Sequence, residues 1–117
     1  MLFRSGFSKG MARRVAFASA LVSRPELLIL DEPTSGLDPI GTREVKELVG
    51  RLAADGMTIL VTSHQLFDMQ DVCSRVAILS HGRVVGGGSV ADIVAAAEDK
   101  RHALEDSFVA RLKGGAA

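Results

Sequence analysis

Apolar residues in this chain come at two spacings. From Met11 they recur at helical intervals through Val15, Ala18 and Val22, which predicts a helix with that stripe inward. Ser8 is placed to cap its start, and Pro25 to end it. Leu27-Leu28-Ile29-Leu30 is instead an unbroken apolar run closed by Asp31, Glu32 and Pro33. Such a run predicts a strand buried on both faces of a parallel sheet. Helical spacing returns at Val45, Leu48, Val49 and Leu52, giving a helix from about Ile40 to Asp55. Asp38 and Pro39 form its N-cap and first position, and Gly56 its left-handed stop.

The second half repeats the alternation. Thr58–Thr62 is β-branched and predicts a second buried strand. A short helix carries Leu66, Met69 and Cys73 on one face, and Val76–Leu79 reads as a third strand. His81-Gly82 predicts a tight hairpin into Val84-Val85, and Gly86-Gly87-Gly88 a flexible run. Ser89 and Asp92 have the spacing of a capping box and open a helix through Ala97. Glu98–His102 reads as a charged linker, and Leu104–Leu112 as a weak terminal helix. Helices alternating with strands predict an α/β fold: a mainly parallel sheet with flanking helices, ending in a β-hairpin and short helices.

Composition narrows the function classes. The chain has 117 residues, with 14 basic and 14 acidic side chains, so no net field draws it to nucleic acid. The absence of Trp and Tyr removes aromatic platforms for bases, and nucleic acid is not an expected partner. A single cysteine, Cys73, excludes an internal disulfide and reads as a small core hydrophobe. No apolar run approaches the ~20 residues of a membrane span.

The candidate chemistry sits at the ends of the predicted strands, where open α/β sheets bind ligands. Asp31 and Glu32 form a carboxylate pair suited to a divalent cation and an activated water, and each also reads as a solvated strand-end acid. His64 follows the second strand by two residues. Ser8 and Asp38 both read as plain helix caps, while Lys9, Arg13, Arg14 and Arg24 read as solvated. His81 belongs to a turn and His102 to a solvated tail.

In order and spacing, four segments resemble known motifs. Phe7-Ser8-Lys9-Gly10-Met11 is similar to the signature motif, and Leu27–Glu32 to a Walker B strand with its glutamate. Ser35-Gly36-Leu37-Asp38 is similar to a D-loop, and Thr62-Ser63-His64 to a switch histidine. Together, from Phe7 to about Ile93, they resemble the ATP-binding subunit of ABC transporters. The resemblance implies part of a P-loop NTPase-like fold, with ATP and Mg²⁺ as cofactors. It implies that Ser8 and the Gly10 N–H reach the γ-phosphate held by the opposite subunit, and that Asp31 holds Mg²⁺. Glu32 would polarise the attacking water, Asp38 would contact the partner across the dimer, and His64 would sense the γ-phosphate. The implied partners are a membrane-spanning permease and a second nucleotide-binding domain, at the cytoplasmic face of the membrane. Lys9 and Met11 depart from the commonest signature, and Ser-Lys-Gly-Met resembles the variant of bacterial exporters, drug-export systems among them.

No Gly-x₄-Gly-Lys-Ser/Thr phosphate cradle and no Q-loop occur in the sequence. The resemblance therefore implies the carboxyl half of a nucleotide-binding domain over 1–98, followed by a linker and terminal helix over 99–117. Alone, the 117 residues are expected neither to bind ATP tightly nor to hydrolyse it. Two other readings stay open: the carboxyl half of a chromosome-maintenance or DNA-repair ATPase, and a non-catalytic remnant that only binds partners.

Overall fold

The computed structural model describes residues 9–115. The chain divides into two compact units, one reaching to His64 and one starting at Gln65.

The first unit holds α1 (Lys9–Leu21), β1 (Leu27–Asp31), α2 (Pro39–Ala54) and β2 (Thr58–Thr62). β1 and β2 pair in parallel, Leu27 opposite Thr58 and Asp31 opposite Thr62. A parallel pair needs a crossover, and α2 supplies it. Asp38 caps that helix as the sequence predicts: its Oδ1 accepts the Gly41 N–H at 2.7 Å, with Pro39 next in the chain. At the other end Gly56 takes φ +98°, and the Met57 N–H returns to the Leu52 carbonyl. α2 buries Val45 and Val49 and packs against β2. Each such side chain contributes about 1.5–3 kcal/mol relative to an exposed one.

Two expectations fail here. β1 alternates: Leu28 is 3% exposed, but Leu27 is 49% and Ile29 62% exposed. Among the described residues of this unit the sheet has two strands with α2 packed against β2, and the β1 side that bears Leu27 and Ile29 is left exposed. In α1, Met11 and Val15 are exposed, as is Val22 just beyond it, whereas Phe17 is buried. The inward face carries Arg13, Phe17 and Leu21, spaced four apart, and the bulkiest apolar side chain of the helix decides the face. Phe17 and Leu21 line a groove with Val45 and Leu48 of α2, bridged by the Arg14–Glu44 ion pair. α1 also ends earlier than expected, at Leu21, and Arg24 turns the chain at φ +50° before Pro25.

The second unit holds α3 (Leu66–Gln70), β3 (Arg75–Ser80), β4 (Arg83–Ser89), α4 (Val90–Ala96), a 3₁₀ turn (Lys100–His102) and α5 (Ala103–Gly115). β3 and β4 form the predicted hairpin, joined by His81 at φ +51° and Gly82 at φ +76°, the signs a type I′ turn requires. Cys73 lies just past α3, and its partial burial raises the thiol pKa, in keeping with a packing role. Ser89 caps α4 through the Asp92 N–H.

The glycine run is not flexible: Gly86–Gly88 lie in β4 and pair with Val76–Ile78. A Cβ on Gly87 would meet the Val76 carbonyl at 2.4 Å, so only glycine permits this close approach. Glu98–His102 is likewise structured. Asp99 accepts the Arg101 N–H at 3.0 Å and bonds His102 Nδ1 at 2.8 Å, and Lys100 Nζ donates to the carbonyls of Ala95 and Ala97. His102 is therefore not a solvated tail residue, and its ring lies 5.4 Å from that of Phe67. α5 begins with the buried Ala103 and Leu104 and packs on α3, α4 and β4.

Candidate active site

The parallel register sets the site. Because Asp31 stands opposite Thr62, the carboxyl ends of β1 and β2 finish side by side. The Thr62 hydroxyl donates to Asp31 Oδ1 at 2.5 Å, which fixes that carboxylate while leaving Asp31 exposed. Glu32 leaves the strand with its N–H still bonded to the Thr62 carbonyl at 2.8 Å. Its φ is +49°, a left-handed value for a residue with a Cβ. That conformation costs about 1–3 kcal/mol and persists only where neighbours hold it.

Several neighbours do. Glu32 Oε1 accepts the His64 N–H at 3.2 Å and faces His64 Nδ1 at 2.6 Å. An ionised carboxylate only accepts, so Nδ1 carries the hydrogen and Nε2 is the ring nitrogen left for another partner. The Glu32 carbonyl accepts the Ser35 N–H at 3.2 Å, closing the turn, and Arg13 Nη1 at 2.8 Å. Arg13 Nη2 donates to the Ser35 carbonyl, also at 2.8 Å. Arg13 is thus half-buried and engaged, not solvated. Thr34, inside the turn, is buried.

One atom is left over. Glu32 Oε2 is buried and has no hydrogen-bond partner among the described residues. A buried acceptor without a partner costs about 1–3 kcal/mol, so this oxygen is the strained atom of the site.

The structure brings Asp31, Glu32 and His64 together at one sheet end. Asp38 is spent on capping α2. Gly10 lies in the first turn of α1, and Ser8 falls outside the described residues. Sequence reasoning missed Thr62 as a carboxylate anchor and Arg13 as a clamp. For Arg13 the available signal was its place four residues before Phe17, on the face that turns inward.

Among the described residues no three His, Cys, Asp or Glu side chains group to hold a metal by themselves. Mg²⁺ seldom asks for such a cage: it keeps waters and takes one or two carboxylates plus substrate phosphates. The Asp31–Glu32 pair fits that sparse mode.

A family profile described as "AAA domain, putative AbiEii toxin, Type IV TA system" matches residues 5–67, more than half of the chain. A fluoroquinolones export ATP-binding protein of Mycobacterium tuberculosis is 42% identical over 99 residues, 85% of this chain and 33% of the relative. An energy-coupling factor transporter ATP-binding protein of Symbiobacterium thermophilum is 51% identical over 79 residues, 68% of this chain and 27% of the relative. A dimeric ATP-binding cassette solved in a post-hydrolysis state with ADP and Pi superposes with a TM-score of 0.65 at 30% identity, over 71% of this chain and 36% of that one. The chain belongs to this AAA domain family, as part of an ABC ATP-binding domain. It spans about a third or less of the length of these two curated ABC relatives. Among the described residues of this ABC domain, no helix is long and apolar enough to cross a membrane.

Proposed function

We propose that the protein carrying this sequence is the ATP-hydrolysing subunit of an ABC transporter, working as a dimer beneath a membrane-spanning permease and peripheral to the cytoplasmic face of the membrane. Export is the favoured direction, supported by the Ser-Lys-Gly-Met signature and by the export protein among the relatives. The observation that carries the reading is the division of labour on Glu32: Oε1 is held twice by His64, and Oε2 is buried and has no partner among the described residues.

Glu32 accepts the proton of the attacking water at Oε2, as general base. His64 fixes the carboxylate through Nδ1 and presents Nε2 toward the γ-phosphate. Asp31, oriented by Thr62, would hold Mg²⁺. When bound, the cation neutralises charge developing on the phosphoryl oxygens. Ser8 and the Gly10 N–H serve the nucleotide of the opposite subunit, and Asp38 joins its capping role to a contact across the dimer. The phosphate cradle, for which this sequence has no pattern, is supplied by the longer protein.

Glu32→Gln in the intact ATPase tests the reading. The amide cannot take the proton, so turnover should fall by ~10²–10⁴ while Mg-ATP affinity holds. Turnover near the unmutated rate removes Glu32 from the mechanism.

A further inference from the structure

We infer that Arg13 is a positioning residue for the hydrolytic carboxylate, tying the helix that follows the signature segment to the turn that carries Glu32. The inference rests on the role proposed for Glu32.

Arg13 is half-buried and its guanidinium spans two backbone carbonyls, Glu32 O and Ser35 O, each at 2.8 Å. Arginine is normally spent on carboxylates or phosphates, where its fork finds charge. Here the fork closes a four-residue turn already fastened by the Ser35 N–H to the Glu32 carbonyl. That turn holds Glu32 at φ +49°, and rotation about its backbone would carry Oε2 away from its place. The amide side of Glu32 is fixed by β2 through the Thr62 carbonyl, and the carbonyl side by Arg13. Without the guanidinium, the Ser35 N–H is the restraint left on the carbonyl side among the described residues.

The origin of the clamp gives it a second consequence. Arg13 stands on α1, one turn from Lys9 and Gly10. Movement of α1 is transmitted to the Glu32–Ser35 turn through two hydrogen bonds. The placement of the carboxylate thereby answers to the position of the helix that follows the signature segment, through a contact that spans 19 residues of sequence.

The experiment uses the intact ATPase with Arg13→Ala, Arg13→Lys and Glu32→Gln, reading kcat, the KM for ATP and the melting temperature of each. Arg13→Ala should lower kcat at least tenfold with KM changed less than threefold. Arg13→Lys keeps the charge and the aliphatic stem but reaches one carbonyl only, so it should recover less than a third of the lost kcat. It also serves as the reading variant where Arg13→Ala does not fold. If Glu32→Gln abolishes turnover while both Arg13 variants keep the parental kcat, the clamp is overturned and the role of Glu32 stands. A loss that vanishes once kcat is corrected for the folded fraction at the assay temperature overturns it equally. If Glu32→Gln leaves turnover intact, the role of Glu32 fails and the inference with it.

Discussion

His64 grips one oxygen of Glu32 from two directions, its backbone N–H at 3.2 Å and its ring Nδ1 at 2.6 Å. The backbone contact is open to every residue but proline at position 64; the ring contact is not. His64→Ala should therefore lower turnover strongly while changing ATP affinity only modestly, because Oε1 keeps one partner and loses its orienting ring. Steady-state kinetics beside nucleotide titration in the intact protein separates the two effects. Unchanged turnover would make His64 a surface residue that happens to touch Glu32.

Asp38 has a cap to lose. Asp38→Ala removes the acceptor of the Gly41 N–H and should cost about 1 kcal/mol, within a range of ~0.5–2. Asp38→Ser restores an acceptor and should recover most of that in urea denaturation. A turnover defect that persists in the serine variant would expose the cross-dimer role separately from the cap.

Asp99 and His102 supply a pH signature. The hydrogen bond that His102 donates to Asp99 raises the His102 pKa above its ordinary 6.5, and the same bond lowers that of Asp99 below 3.8. For His102 the stabilisation is complete below 6.5 and is lost as pH rises through the raised folded value. For Asp99 it is present above 3.8 and is lost as pH falls through the lowered folded value. The pair thus contributes fully only between those two ordinary values. Proton NMR of the His102 ring should show titration above 6.5, returning toward it in Asp99→Asn. Titration at or below 6.5 in the parent would contradict the pairing.

Gly87 and Gly88 make a matched comparison. Both have φ in the region that disfavours side chains, +155° and +141°, but only at Gly87 would a Cβ strike backbone, the Val76 carbonyl at 2.4 Å. Gly87→Ala should destabilise the hairpin by about 1–3 kcal/mol more than Gly88→Ala, the usual range for a forced clash. Equal denaturation midpoints would show that the hairpin can open at that point without loss.

What the sequence made legible was mostly local. Asp38-Pro39, Gly56, His81-Gly82 and Ser89–Asp92 each act within four residues, and each does in the structure what its chemistry predicts. The acids after β1 and the histidine after β2 were legible because strand ends are marked by the loss of apolar pattern. The bonds joining them were not. Thr62 to Asp31 spans 31 residues, and Arg13 to Ser35 spans 22. Nothing in the type of Arg13 separates a guanidinium on carbonyls from one in water. The glycine run failed for a related reason: its role depends on Val76, a partner that only the hairpin register brings near.

The left-handed backbone of Glu32 sets what selection can do at that position. A glycine would adopt φ +49° without steric cost and would leave no orphaned acceptor behind. A screen rewarding thermal endurance alone would therefore favour discarding the one side chain assigned the proton transfer. Keeping glutamate here is a standing expense in stability, met only while function is under test in every generation.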